Sequence, residues 1–340
     1  MFFSIQIYSL GHLKNVLESV DMTSLYLHLD SVIDKSDLST KDSSSVILLF
    51  TTTISDSLVS FLQDEYNFET ALRLLKDLKQ QLRIRSLKDP FQRFKSLITD
   101  LFTKLVLNYL SRNDQKSPWK KVQFSYNDYG KPLLKGQEFQ FNSSSSNKVI
   151  SLAVEYSKPN SPVGIDLSHS VQSSISPTDF LEQFHPIFAV TELEHLNSIK
   201  DINERYFAFN HLWTLKEAYT KLLGSGLNIQ LADFSFTITG ESFAAESFRP
   251  RSLLQQSGFI SEYRIPWYSD ISVDNRELIN KEDSFVKALE NQTEFYCFSS
   301  ILEKGTLEEL PVIVTIINQN RAASMRYFAI DFLSILQLQI

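Results

Sequence analysis

Two long helical stretches, each leading into short apolar strands, constrain this fold more than any other feature. The first, "DPFQRFKSLITDLFTKLVLNYL" (Asp89 to Leu110), is amphipathic at 3.6 residues per turn. Pro90 falls in its first turn, where a missing N–H costs nothing. The second starts near Asn203 and ends in "WTLKEAYTKLLGSGL" (Trp213 to Leu227), with Gly224 and Gly226 as stop and tight turn. "SSSVILLFTTTIS" (Ser43 to Ser55) reads as a buried strand, β-branched with polar ends. "KVISLAVEYS", "SPVGIDLSHS", "DFSFTITG" and "TEFYCFSSIL" read as further strands, and "VQFSYNDYGKPLL" as strand, turn, strand. The two helices echo one another. "TDLFTKL" (Thr99 to Leu105) resembles "KEAYTKL" (Lys216 to Leu222), setting Asp100 against Glu217 and Lys104 against Lys221.

A chain of 340 residues is long for a single core, so two units are expected. The fold class expected is α+β, built as two similar α/β halves joined near residue 160. The expected division is an N-terminal extension over 1–42, an N-terminal α/β subdomain over 43–158, a C-terminal α/β subdomain over 159–305, and a C-terminal tail over 306–340. A polar, weakly periodic stretch over about 241–291 is expected to be a surface insertion, and Asp30 to Ser45 a linker.

The net charge of -7 offers no broad attraction for nucleic acid or acidic membranes, so neither is expected as a partner. One cysteine, Cys297, allows no intrachain disulfide and no Cys-rich metal site, which points to a reducing, cytoplasmic setting. No run approaches the length of apolar chain that spans a bilayer. The N-terminus lacks the basic start of a signal peptide. The six histidines have no HxxxH or HExxH spacing, which argues against zinc. Absence of GxSxG, GxxxxGK[ST] and GxGxxG disfavours serine hydrolases, P-loop NTPases and dinucleotide enzymes.

The second helix has an odd outer face. Leu215, Ala218, Tyr219 and Leu222 form its apolar side, and Trp213, Lys216, Glu217 and Lys221 the other. One reading is a solvated face with a Glu217–Lys221 pair. The other is a pocket wall: Trp213 at the edge, Glu217 on a cation, Lys216 and Lys221 toward phosphates. Asp166, closing "VGID", is either a turn former or a hard-cation ligand beside Glu217. "FNSSSSN" (Phe141 to Asn147) is a phosphate cradle or a polar linker. Arg83, Arg85, Lys88, Arg93 and Lys95 are an anion site at a helix start or a solvated charge run.

In order and spacing, "YNDYGKPLL", "FNSSSSNKVISLAV", "VGIDLS" and "FNHLWTLKEAYTKLLGSGL" together resemble the Sfp-type 4′-phosphopantetheinyl transferases. The pattern W-x-x-K-E-[AS]-x-x-K-x-x-G-x-G-L is matched at every fixed position from Trp213 to Leu227. The resemblance implies a pseudo-dimer of two α/β subdomains with the site between them. It implies transfer of the phosphopantetheine arm of coenzyme A to a serine of an apo carrier protein, releasing adenosine 3′,5′-bisphosphate. Asp166 and Glu217 would then hold Mg²⁺, with Glu217 also a candidate base, and Lys221 would contact the coenzyme A phosphates. Lys131 and Pro132 would lie along the adenine end, and Ser144 and Ser145 near the phosphates. Arg83, Arg85, Lys95 and Ser96 fall where the family binds the 3′-phosphate. The resemblance points to the carrier domain of α-aminoadipate reductase in lysine biosynthesis as client, and a monomer is expected.

Two departures stand out. Ser168 replaces a family Glu that would be a third acidic ligand, and Ser145 replaces a His in the phosphate loop. Weaker coenzyme A binding is expected from the second. The main alternative is a degenerate protein that binds coenzyme A or a carrier without transfer; a structural or scaffolding α/β protein, which would bind no coenzyme A, is the other.

Overall fold

The computed structural model describes residues 25–34, 38, 44–111, 117–146, 148–158, 160–169, 179–239, 243–244, 248–281, 294–304 and 311–340. It is a mixed α+β structure with two principal sheets. The strands of these sheets are β1 (Ser44–Thr53), β2 (Phe139–Ser145), β3 (Val149–Ser157), β4 (Val163–Leu167), β5 (Ser252–Ser257), β6 (Ile260–Arg264), β7 (Tyr296–Glu303), β8 (Val312–Asn318) and β9 (Arg321–Ile330). The principal helices are α1 (Pro90–Ser111), α2 (Ile202–Leu223) and α3 (Phe332–Gln339).

The larger sheet runs β2-β3-β1-β9-β6-β5, and the smaller runs β7-β8-β4. β1 pairs parallel with β9 and antiparallel with β3. Its continuous apolar run is explained by burial on both faces. Val46, Leu48 and Phe50 belong to the core that holds Leu97, Leu101 and Leu105 of α1. Ile47 and Leu49 point the other way, into a core with Val163, Ile165, Val314 and Ile316 of the smaller sheet. The two sheets therefore pack through the odd residues of β1. Leu215, Ala218, Tyr219 and Leu222 of α2 fill a third core with Phe234, Phe236 and Ile317, the apolar stripe read from the sequence. Among the described residues no helix is long and apolar enough to cross a membrane.

An order of elements recurs. β1, α1, β2 and β3 give an antiparallel arrangement β2-β3-β1, and β4, α2, β7 and β8 give β7-β8-β4.

Three stretches differ from expectation. Within 241–291, β5 and β6 extend the larger sheet, and Ile271–Asp274 pairs with Ser235–Ile238. β5 is exposed along nearly its whole length, so its sequence shows no in–out alternation to read. The described part of the 306–340 tail, residues 311–340, is packed into the fold: β9 lies against β1 inside the larger sheet, and Phe332, Ile335 and Leu336 of α3 enter its core. At the other end, residues 25–32 are helical and insert Leu25, Leu29 and Val32 into the same core, so Asp30 to Val32 continue a helix. The rest of the 1–42 extension lies largely outside the described residues.

A buried polar knot joins the two sheets. Glu155 of β3 is fully buried, and its Oε1 accepts from Asn318 Nδ2 at 3.2 Å and Asn320 Nδ2 at 3.4 Å. Among the described residues, its Oε2 and the Asn318 Oδ1 have no hydrogen-bond partner. Burial pushes the Glu155 carboxyl up to about 7, against the opposing pull of the Asn318, Asn320, Ser45 and Ser157 hydrogen bonds. A carboxyl raised on folding stabilises the native state below the ordinary carboxylate range. That stability is lost as pH climbs through the folded value. Glu155→Gln is expected to be more stable than wild type above neutrality, with the advantage vanishing near pH ~5. The gap approaches ~3 kcal/mol at most. Urea denaturation of both proteins across that range checks it, and a pH-independent gap would exclude a titrating Glu155.

Candidate active site

The site begins with a close packing of helix on strand. Gly164 sits under α2 so tightly that a Cβ there would lie 2.0 Å from the Ala218 carbonyl oxygen. Two residues on, Asp166 stands near the end of β4, and Glu217 and Lys221 are one helical turn apart on α2. The helix is started by Asp201, whose carboxylate accepts from the Asn203 and Glu204 amides, and stopped by Gly224 at φ 75°.

Lys221 Nζ reaches Asp166 Oδ1 at 2.6 Å and Ser144 Oγ at 3.2 Å. Ser144 Oγ in turn donates to Asp166 Oδ1 at 2.8 Å and accepts from the Leu167 amide. Ser144 lies on β2, so this triangle ties the larger sheet to the smaller one. Around it opens a cleft of about 460 Å³. Ser143, Ser144 and Ser145 form one wall, Trp213, Glu217 and Lys221 another, and Thr99, Asp166, Leu167 and His169 complete the lining. Trp213 sits half-buried with its ring edge-on to Phe184, 5.7 Å between centroids. That accounts for an indole on this face of the helix.

Glu217 is held above the usual carboxylate range, first by burial, then by the negative charge of Asp166, with Lys221 opposing. Among the described residues nothing donates to its carboxylate. Two hard oxygen donors, Asp166 and Glu217, thus share one open cleft with their repulsion only partly relieved, a donor set suited to Mg²⁺. No group of three or more His, Cys, Asp or Glu side chains placed for a metal occurs among the described residues. Ser168 contributes no ligand, because its hydroxyl accepts from the Ile313 amide and donates to the Pro311 carbonyl within the sheet.

Other expected binders lie elsewhere. Lys216 is fully buried, pairs with Glu192 at 2.8 Å and donates to the Leu231 and Phe234 carbonyls. One residue back from Glu217, it is rotated about 100° around the helix and points into the core, so it does not meet phosphates from this cleft. Lys131 donates to the Leu222 carbonyl at 3.0 Å and caps the end of α2; burial pulls it down to about 8. Asn127 fastens the same turn to the Gly224 carbonyl, and Pro132 follows in a two-residue strand. Neither Lys131 nor Pro132 lines the cleft. Arg83 pairs with Asp100, and Arg85 with Glu69. Lys95 is not among the lining side chains; it donates to the Ser146 carbonyl at 2.8 Å, and burial lowers it. The echo in α1 has diverged: Asp100 is held by Arg83 and Lys104 by the Leu75 carbonyl, so α1 carries no second copy of the acid–lysine pair in the cleft.

His169 and Thr99 were not legible as cleft residues. The only signal for His169 was its place three residues after Asp166. Glu192, the partner of Lys216, had no sequence signal at all.

The sequence profile of the 4′-phosphopantetheinyl transferase superfamily matches residues 162–266, the segment that carries Asp166, Glu217 and Lys221. The chain belongs to this superfamily, a class of transferases. It is 30% identical over 219 residues to the L-aminoadipate-semialdehyde dehydrogenase-phosphopantetheinyl transferase of Candida glabrata, which covers 62% of this chain and 79% of that protein. The protein of the same name in Saccharomyces cerevisiae is 27% identical over 188 residues, or 52% of this chain and 62% of that one. The 4′-phosphopantetheinyl transferase Sfp of Bacillus subtilis is 30% identical over 142 residues, or 42% of this chain and 57% of that one.

Proposed function

We propose that this chain transfers the 4′-phosphopantetheine arm of coenzyme A to a serine of an apo carrier protein, with adenosine 3′,5′-bisphosphate as the other product. The observation that carries this reading is the Asp166–Lys221–Ser144 triangle with Glu217 beside it in one cleft. The serine oxygen forms a bond to the β-phosphorus while the bond from that phosphorus to the bridging oxygen breaks. Glu217, whose carboxylate accepts no hydrogen bond from the described residues and faces the cleft, takes the serine proton. Lys221 offsets charge on the departing bisphosphate, and Ser144 keeps Lys221 and Asp166 in register. Asp166 and Glu217 are the residues that would hold Mg²⁺, which when bound supplies Lewis-acid stabilisation of the diphosphate. Most of the acceleration then comes from positioning and electrostatics.

The recurrence of β1-α1-β2-β3 as β4-α2-β7-β8 supports a pseudo-dimer with its site at the junction. The names of the yeast relatives favour the carrier domain of aminoadipate-semialdehyde dehydrogenase as client, and hence lysine biosynthesis. A monomer in the cytoplasm belongs to the same proposal.

The test is to incubate purified protein with coenzyme A, Mg²⁺ and a panel of apo carriers that includes that domain. A mass gain of one phosphopantetheine arm on the carrier serine is expected. Unchanged mass on every carrier, with coenzyme A bound, would favour the non-transferring alternative.

A further inference from the structure

The cleft must accept a diphosphate, and its own walls already carry two carboxylates. Against them stands Lys221, whose ammonium is engaged with Asp166 and Ser144. Lys95, one residue beyond the Ser145 wall through its bond to Ser146, donates to a backbone carbonyl. One further nitrogen-bearing ring, apart from the indole of Trp213, is found among the lining side chains, that of His169.

His169 follows β4 by two residues, just beyond the end at which Asp166 stands. It is exposed, lies in the lining, and makes no hydrogen bond with the described residues. Its surroundings are mixed in sign: Asp166 attracts a proton to the ring, and Lys95, Lys221 and partial burial repel one, with burial strongest. The side chain is therefore a ring donor at the mouth of an anion-binding cleft, free of any structural duty that the geometry shows.

We infer that His169 is a substrate-binding residue that donates a hydrogen bond to the diphosphate of coenzyme A in the cleft it lines with Asp166 and Lys221. This rests on the coenzyme A reading of the cleft. It goes beyond that reading, because neither the helix motif nor the strand-end acid requires a histidine at this position.

Calorimetric titration with coenzyme A and, separately, with inorganic pyrophosphate tests it on wild type, His169→Ala, His169→Gln and His169→Glu. His169→Ala is expected to weaken both ligands about tenfold. His169→Gln, which keeps a donor, should stay within about threefold, and His169→Glu should be worse than alanine because it adds a third negative charge. Thermal stability should not move, since the side chain is exposed. In steady-state transfer, His169→Ala should raise KM for coenzyme A and leave KM for the carrier in place. Ligand affinities indifferent to all three substitutions would overturn the inference, as would a rise confined to the carrier KM, which would put the ring against the carrier instead. Wild-type protein that binds pyrophosphate through His169 but ignores coenzyme A would sink the coenzyme A reading alone.

Discussion

Glu217→Gln is expected to lose transfer activity by roughly 10³-fold while gaining, or at least not losing, stability. The opposite signs follow from one geometry. The carboxylate accepts no hydrogen bond from the described residues, is half-buried, and faces the charge of Asp166 across the cleft. Its ionised form is thus disfavoured in the folded protein, and an isosteric neutral amide removes the repulsion. A group whose folded pKa is raised contributes stability at low pH that disappears as pH rises through that value. The stability gain of the variant should therefore grow from the acid range toward neutrality. The activity loss has a separate origin. The amide cannot take the serine proton, a role worth about 10²–10⁴ in rate, and it is a poorer ligand for a hard cation. Single-turnover transfer and thermal melts on the same preparation decide the matter. A variant at wild-type rate would remove Glu217 from the mechanism, and a marked fall in melting temperature would mean that its charge holds the fold together.

Among the described glycines, Gly164→Ala should be the most damaging substitution. The added methyl would meet the Ala218 carbonyl oxygen at 2.0 Å, the Leu222 amide nitrogen at 2.7 Å and the Leu222 Cβ at 2.8 Å. The first two are backbone atoms of α2 and cannot rotate aside, so the helix must rise off β4. Overpacking of this kind costs about 3 kcal/mol or more where the neighbours cannot yield. The functional cost is separable from the loss of fold. Asp166 rides on the strand, and Glu217 and Lys221 ride on the helix, so lifting one from the other stretches the 2.6 Å Asp166–Lys221 contact. A displacement of about 1 Å in such a constellation costs on the order of 10²-fold in rate. Equilibrium denaturation should show the stability loss. Assays at low temperature, where the variant is still folded, should show reduced transfer. Wild-type values in both would mean that α2 and β4 are not this close.

The acid, the glutamate and the lysine of the cleft could be named before any coordinates because their setting is local. A carboxylate at the end of an apolar strand, and a glutamate and lysine one turn apart beside a tryptophan, are visible in short windows of sequence. The same windows could not separate Lys216 from Lys221. Both follow the helix, yet one enters the core to meet Glu192 and the other enters the cleft to meet Asp166. Lys131 shows the same limit: a turn lysine that looked ready for a ligand caps the carbonyl of Leu222 instead.

The amino-acid pattern alone determined most element types and the apolar faces of α1, α2 and β1, and it marked out Asp166, Glu217 and Lys221 as candidates. Periodicity records whether a side chain meets apolar or polar surroundings, and that is set residue by residue. Only the tertiary structure decided that β9 from the end of the chain lies parallel to β1, and that β5 and β6 extend the same sheet. It also decided that a serine of β2 meets Asp166 of β4. Those are choices of partner between distant segments, and backbone hydrogen bonds are alike at every residue, so no side-chain pattern names the partner.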